Sequence, residues 1–191
     1  MGRARPKIPK YAKSDGRAPW AEPEPDPAVA VIVAGIDPGT VITGVCVVER
    51  TGQVLRPVLM EAIKPAGRLA RPERLHRIFL RLREILSQHR PESVAIESAH
   101  VGPYASAAVP LGEARGAAIL AALEVGATVV EYTASHARRA VAARGQAGKM
   151  EVRRAVTLLL GGRGSFWEAL PLDVSDAAAL AILRAGEAGP P

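Results

Sequence analysis

Cysteine is nearly absent from this chain, because Cys46 is the only one among 191 residues. A single thiol excludes a disulfide within the chain and a zinc site built from several cysteines, and it is typical of a reducing compartment. Uninterrupted apolar runs of roughly 18 residues are also missing, so we expect no membrane span. The first residues lack the apolar block of a secretory signal, and we therefore expect a cytoplasmic protein.

Aromatic residues are scarce at 4 %, whereas basic residues are in excess. Lys and Arg number 25 against 19 Asp and Glu, which gives a formal charge of +6. This balance permits a polyanionic partner such as nucleic acid, although few aromatic side chains are available to stack on bases. A soluble basic protein without such a partner would have the same composition.

The N-terminal segment differs from the rest of the chain. Residues 1–28 contain six prolines and no aliphatic periodicity, and residues 1–17 carry six basic side chains against one acid. Such a composition predicts a disordered, basic and proline-rich arm over 1–28, followed by a folded domain over 29–188. Both a contact with DNA phosphates and a solubilising role remain open for the arm.

The remaining sequence alternates between strand and helix patterns. Three apolar segments joined by short links come first, which predicts antiparallel neighbours. Later strands are separated by helices long enough to serve as crossovers between parallel strands. We predict strands at 29–37, 43–50, 54–63, 93–97 and 128–133, with helices at 72–89, 105–123, in patches over 136–160 and at 172–185. The fold class is therefore α/β, with a five-stranded mixed sheet (three antiparallel strands, then parallel additions) and helices on both faces.

Four carboxylates occupy positions at strand ends and at a helix start, where sheets of this kind bind their ligands. Asp37 and Glu97 each end a buried strand, and Asp173 and Asp176 lie three residues apart at the start of the last helix. Strand ends of this kind converge on one edge of the sheet. Several carboxylates held together need cations, and oxygen ligands favour Mg²⁺ or Mn²⁺. Two such ions can activate water and stabilise the leaving oxygen in phosphodiester hydrolysis.

Each acid also has a simpler interpretation. Asp37 begins an Asp-Pro-Gly sequence that is common in turns. Asp173 is a candidate helix cap, and Asp176 is placed to favour the N-terminal dipole of the helix. Glu97 is harder to explain in this way, since an acid directly after a buried strand needs a partner.

Four segments together resemble the RuvC family of Holliday junction resolvases. The opening segment AGIDPGTVITG, the acidic block VAIES, the helix LGEARGAAILAAL and the closing segment DVSDAAALAI occur in the family's order over about residues 31–184. The resemblance implies an RNase H-like fold and a homodimer that makes paired, symmetric nicks in four-way DNA junctions. It also implies that Asp37, Glu97, Asp173 and Asp176 are catalytic and hold two Mg²⁺ or Mn²⁺ ions per active site, with products that carry 5′-phosphate ends.

Further expectations concern DNA contacts and partners. Arg138 and Lys149 correspond by position to family lysines that touch the DNA backbone, and Arg139 and Arg144 lie in the same basic segment. A solvated helix face is the alternative for this segment. Family members often have an aromatic residue shortly after the second acid, where this chain has His100 and, four residues on, Tyr104. Either could stack on a base, although His100 also suits an ordinary loop.

The helix at 105–123 is rich in small residues, which allows close backbone approach. Tight packing on the sheet explains this composition, and the resemblance adds a dimer interface. A branch-migration helicase complex is a candidate partner, and the expected location is cytoplasmic and associated with the nucleoid.

Other functions compete with a junction resolvase. A relaxed nuclease of flaps and three-way junctions would need the same acids, whereas a non-catalytic junction binder would not need all four. Asp-x-Gly-Thr followed by Gly also suits the phosphate loop of actin-like ATPases, but such proteins need two such domains, and this chain has no second phosphate loop.

Overall fold

The computed structural model describes residues 30–98 and 105–188, and the side chains from residue 108 onward in the second range. The predicted arm at 1–28 lies outside the described residues, as do His100 and Tyr104. The predictions made for these positions therefore stay predictions. No helix in the described residues is both long enough and apolar enough to cross a membrane.

A five-stranded mixed sheet forms the centre of the structure. Its spatial order is β3-β2-β1-β4-β5, with β1 antiparallel to β2, β2 antiparallel to β3, and β4 parallel to both β1 and β5. The number of strands and their directions confirm the predicted mixed sheet. The strands are β1 (Val31–Asp37), β2 (Thr43–Thr51), β3 (Val54–Ile63), β4 (Ser93–Glu97) and β5 (Thr128–Tyr132).

Helices cover both faces of the sheet, as predicted. They are α1 (Arg71–His89), α2 (Ala105–Glu124), α3 (Ala134–Ala142), α4 (Lys149–Leu159), α5 (Ser165–Ala169) and α6 (Leu172–Glu187). One core lies between the sheet and the pair α1 and α2, where Ile36 and Val47 meet Leu82 and Ala118. The other core lies under α3, α4 and α6. Cys46 is fully buried in this second core, and burial raises the pKa of its thiol to about 12, so the thiol stays protonated.

Helix α6 lies closer to the sheet than ordinary side chains permit. A Cβ atom added at Gly35 on β1 would lie 2.0 Å from the carbonyl oxygen of Ala177 and 2.6 Å from the backbone nitrogen of Ala181. Glycine in a strand often marks such a close backbone approach. The helix is consequently buried along most of its length, and its position is fixed by β1 and β2.

In the segment 134–171, the helical patches predicted over 136–160 are two helices, α3 and α4, interrupted at residues 143–148. The structure differs from the prediction in a five-residue helix, α5, which follows the glycine-rich loop. Ser165–Ala169 is too short to show a helical period, so the sequence pattern missed it. Smaller differences at other element ends amount to one or two residues, as is usual for helix and strand boundaries.

Candidate active site

The first two acids sit side by side at one edge of the sheet. Strands β1 and β4 run parallel with Ile36 opposite Ile96, so Asp37 and Glu97 are the next residues on neighbouring strands. Both side chains are half-buried, and each follows a fully buried isoleucine. The parallel register therefore brings together two acids that are 60 residues apart in the chain.

Helix α6 brings the other two acids to the same edge. Its N-cap is Pro171, so Asp173 lies in the first turn and is not the cap that its position suggested. Asp176 follows three residues later on the same helix face, and its side chain is 15 % exposed. Gly44, which pairs with Asp37 across β1 and β2, permits this placement. A Cβ atom at Gly44 would lie 2.1 Å from the carbonyl oxygen of Asp173.

The environment of the carboxylates changes the protonation of Asp37 and Asp176. The pKa of Asp37 is raised from 3.8 to about 7, first by burial and then by the negative charges of Asp176, Glu97 and Asp173. Burial also raises the pKa of Asp176, against the opposing effect of nearby basic groups. Asp37 therefore lies, half-buried, among three other acids, and the nearby charge of Lys149 offsets only part of the resulting rise in its pKa.

Two of the predicted basic residues also lie at the carboxylates. The Lys149 ammonium group, at the start of α4, is 3.3 Å from Oδ2 of Asp176. Burial acts to lower the pKa of Lys149, but the carboxylates of Asp176, Asp173 and Asp37 together raise it above its ordinary value. Arg138 on α3 lines a narrow crevice with Glu97 and Asp176, and its charge lowers the pKa of Asp176. Positive charge thus borders the acids on the side formed by α3 and α4.

The carboxylate oxygens of the four acids suit a hard divalent cation, although their side chains are not already arranged to bind one. Within residues 30–98 and 105–188, no three His, Cys, Asp or Glu side chains are arranged as a ready-made metal site. Like-charged carboxylates repel each other, and Lys149 acts as a counter-ion to Asp176. The fit is supported by the raised pKa of Asp37, which burial causes first and the negative charges of the three other acids cause next. A divalent cation bound among these oxygen donors would stabilise the ionised carboxylates.

Two supporting residues were not identified from the sequence. Arg115 on α2 donates from Nε to the backbone carbonyl of Glu97 at 3.2 Å and forms an ion pair with Glu131 on β5. Thr43 is fully buried, and its hydroxyl donates to the carbonyl of Gly39 at 2.8 Å, within the turn that follows Asp37. The first contact holds the backbone at the end of β4, and the second holds the turn that follows β1. The glycines and Thr43 near Asp37 were visible in the sequence, but their contacts depend on tertiary structure.

The other predicted DNA contacts lie apart from the acids. Arg139 and Arg144 line a separate open groove with Ser135 and Gly145 at the α3–α4 connection. Arg144 is held there by Glu151, with two hydrogen bonds of 2.6 and 2.9 Å. The basic segment therefore divides into two pairs: Arg138 and Lys149 at the carboxylates, and Arg139 and Arg144 in the connection.

The raised pKa of Asp37 predicts that metal-free protein loses stability as pH rises. In the unfolded chain Asp37 ionises near pH 4, whereas in the folded protein it keeps its proton up to about pH 7. The stabilisation is complete below about pH 4 and is lost as pH rises through about 7, at roughly 1 kcal/mol per pH unit. We expect urea unfolding in chelator to show a lower free energy of unfolding at pH 8 than at pH 5.

The control for this pH effect is Asp37→Asn, which removes the titrating group. We expect a smaller decrease between pH 5 and pH 8 in that variant, measured under the same conditions. An equal decrease in both proteins would show that Asp37 does not carry the effect.

Comparison with known proteins identifies the family. The sequence model described as "Crossover junction endodeoxyribonuclease RuvC" matches residues 33–184. A protein of that name from Citrifermentans bemidjiense is 42 % identical over 159 residues, which cover 83 % of this chain and 94 % of the relative. This chain belongs to the RuvC family. The match includes both the opening strand and the closing helix, which decides against the actin-like ATPase alternative.

Solved structures agree with the RuvC assignment. Thermus thermophilus RuvC, solved in complex with a Holliday junction substrate, superposes with a TM-score of 0.74 at 34 % identity, covering 83 % of this chain and 94 % of that one. The yeast mitochondrial Holliday junction resolvase Ydc2 superposes with a TM-score of 0.57 at 11 % identity, covering 80 % and 77 %. The second likeness shows a shared fold. The fold is thus the RNase H-like fold that the RuvC resemblance implied. Nucleases of the RuvC family depend on metal ions.

Proposed function

We propose that this RuvC-family protein is a Holliday junction resolvase that makes paired, symmetric nicks in four-way DNA junctions. The proposal names Asp37, Glu97, Asp173 and Asp176 as the catalytic metal ligands, and products with 5′-phosphate and 3′-hydroxyl ends. Membership of the family supports the substrate, and the carboxylate edge of the sheet supports the chemistry.

One observation carries the chemical part of the proposal. The pKa of Asp37 is raised to about 7 by burial and by the three other acids, which come from another strand and from the last helix. Acids brought together in this way destabilise the folded chain unless cations bind. Strongly shifted pKa values of this kind are typical of catalytic and binding sites.

The metal is proposed to be Mg²⁺ or Mn²⁺, with two ions at each active site. Hard oxygen donors without histidine or cysteine favour these ions. When bound, the ions would make water nucleophilic at neutral pH and stabilise the charge on the phosphate oxygens. Asp37 and Glu97 would hold ligand oxygens at fixed positions, since both extend from paired strands, and Asp173 and Asp176 would do so from α6.

Basic residues beside the acids would position the DNA. Lys149 is 51 % exposed at its side chain although it contacts Asp176, so its ammonium group can also reach a phosphate. Arg138 borders the same acids and carries a planar guanidinium suited to phosphate oxygens. Arg139 and Arg144 would contact the backbone farther from the cleavage point, and His100 or Tyr104 would stack on a base near the branch.

Paired nicking requires two active sites, and we propose a homodimer formed through α2. This helix exposes apolar side chains that the described residues of one chain do not cover. Val109 is 58 % exposed and Leu120 is 60 % exposed, and Leu111 and Leu123 are exposed as well. Exposed apolar side chains on one helix are typical of an interface. A two-fold axis at α2 would relate the two sites to the two-fold symmetry of a junction.

The cellular setting follows from the substrate. A resolvase acts where recombining chromosomes meet, so we propose a cytoplasmic location at the nucleoid. A branch-migration helicase complex is the proposed partner that would deliver junctions, and residues 1–28 are proposed as a disordered arm beside a nuclease domain over 29–188.

A nicking assay on a fixed synthetic four-way junction tests the proposal. We expect symmetric nicks in opposite strands with Mg²⁺ or Mn²⁺, 5′-phosphate ends, and no cleavage in chelator. Linear duplex, flap and three-way substrates of the same sequence serve as controls, and we expect cleavage of each to be at least about 10-fold slower.

Two outcomes would contradict the proposal. Equal cleavage of flaps and four-way junctions would indicate the relaxed branched-DNA nuclease. Junction binding without cleavage at any divalent cation concentration would indicate the non-catalytic binder.

A further inference from the structure

A second basic surface lies beyond the carboxylates, in a groove that no part of the proposed function uses. It is formed by α4, the glycine-rich loop at 161–164 and α5, and its volume is about 610 Å³. We call it the α4–α5 groove. The residues that define it for this argument are Arg153, Arg154, Arg163, Trp167 and Glu168.

Positive charge dominates the α4–α5 groove, with three arginines against Glu168. Arg153 donates to the carbonyl of Leu170 at 3.4 Å, which holds its side chain across the gap between α4 and α6. Arg154 and Arg163 are exposed. No carboxylate in the described part of the chain forms an ion pair with either of them, unlike Arg144, which Glu151 holds. Two guanidinium groups are therefore available to an anionic ligand.

An aromatic ring forms the floor of the α4–α5 groove. The indole of Trp167 packs directly on Gly162, where an added Cβ atom would lie 2.2 Å from the ring. Phe166 packs edge-on against Trp167 with ring centroids 6.0 Å apart. The indole is thus held in place rather than free to rotate. A flat apolar ring bordered by guanidinium groups suits a chain of alternating sugars and phosphates.

The groove begins where the carboxylate site ends. Lys149, which contacts Asp176, precedes Arg153 by four residues, which is about one turn or 6 Å along α4. Arg153 in turn bonds to Leu170, just before the helix that carries Asp173. One strand of DNA that passes the acids can therefore continue along α4 into the groove.

We propose that the α4–α5 groove binds the sugar–phosphate backbone of a DNA arm beside the cleavage point. The inference rests on the proposed function for the identity of the DNA, and it assigns Arg154 and Arg163 to phosphates. Exposed Leu158 and Phe166 at the rim would also suit a protein partner. The excess of arginines over carboxylates in the groove favours a polyanion instead.

The test removes the two exposed charges and measures DNA binding by wild type and variant in chelator. The double variant Arg154→Ser/Arg163→Ser should bind the four-way junction and a linear duplex at least about 10-fold more weakly than wild type. The comparison is made at 0.1 M salt, where the Debye length is about 10 Å. The slope of log affinity against log salt should be shallower by about 0.9 for each phosphate that the variant no longer neutralises. Cleavage of saturated junction should stay within about two-fold of wild type.

Two controls separate a specific contact from a change in net charge. Arg68→Ser/Arg77→Ser removes the same charge at exposed residues of the α1 side of the sheet and should leave affinity and slope near wild type. Arg154→Lys/Arg163→Lys keeps the charge and should restore most of the salt slope. The proposal is overturned if the serine variant in the groove binds like wild type, or if the α1-side control loses as much affinity.

The same measurements distinguish failure of the groove from failure of the proposed function. Wild-type protein that binds DNA but never nicks the junction would refute the resolvase proposal, while the salt slopes would still decide the groove. Conversely, normal junction cleavage with unchanged slopes in the serine variant would refute the groove proposal alone.

Discussion

Asp37→Asn should abolish junction cleavage and leave junction binding intact. Asp37 is the acid on which the charges of Asp176, Glu97 and Asp173 all act, so the substitution replaces the central carboxylate of the proposed metal site by a neutral amide, which is a weaker ligand for a hard cation. Loss of a group that acts as part of a catalytic unit lowers turnover by roughly 10⁴–10⁶-fold. The phosphate-contacting side chains remain, so we expect the dissociation constant for the junction to stay within about two-fold. Single-turnover cleavage and binding in chelator measure the two quantities.

Stability measurements separate this chemical loss from misfolding. An amide at position 37 cannot ionise, so it relieves the repulsion among the acids. The variant should therefore have a higher free energy of unfolding than wild type at pH 8 in chelator, although it is inactive. Glu92→Gln is the matched control, because Glu92 is exposed and lies just before β4, at the opposite end of that strand from Glu97. Full Mg²⁺-dependent cutting by Asp37→Asn would remove the basis of the proposed mechanism.

Gly44→Ala should lower both stability and cleavage through a single added methyl group. The Cβ atom would lie 2.1 Å from the carbonyl oxygen of Asp173 and 2.8 Å from the backbone nitrogen of Val174. Both contacts are with backbone, so helix α6 must move as a unit away from β2. Overpacking of this kind typically costs 1–3 kcal/mol, and we expect about 3 kcal/mol or more here. Displacing Asp173 by about 1 Å should also reduce cleavage by about 10²-fold.

Gly186→Ala is the control for that prediction. Gly186 lies in the same helix, but a Cβ atom there would meet no atom within 4 Å apart from its chain neighbours and the nearby backbone of its own helix. Replacing an unconstrained helical glycine by alanine should raise the free energy of unfolding by about 0.5–1 kcal/mol and leave cleavage unchanged. Chemical unfolding and the junction assay test both variants. Wild-type stability in Gly44→Ala would show that α6 is not held in place by contact with β2.

The sheet and the four acids could be predicted because their signals are local. Buried strands produce apolar runs, short links force antiparallel neighbours, and an acid directly after such a run marks the end of a strand. Asp37 and Glu97 were recognisable in this way. The pair Asp173 and Asp176 needed only helical spacing once the last helix was recognised.

The remaining features depend on contacts between distant parts of the chain. Lys149 and Arg144 belong to one basic segment, yet Lys149 contacts Asp176 and Arg144 is held by Glu151. The role of Gly44 follows from how closely α6 approaches β2, which no local pattern records. Helix α5 was missed for a different reason, because five residues are too few to define a period.

The placement of Asp173 and Asp176 on the final helix has a consequence for synthesis of the protein. Proteins emerge from the ribosome with the N-terminal part first, so the strands bearing Asp37 and Glu97 are made long before residue 172. Helix α6 completes one core and supplies half of the acids in the same event. With the proposed metal site, a nascent or prematurely terminated chain would lack two of the four ligands, and nuclease activity would appear only when translation has passed the last helix.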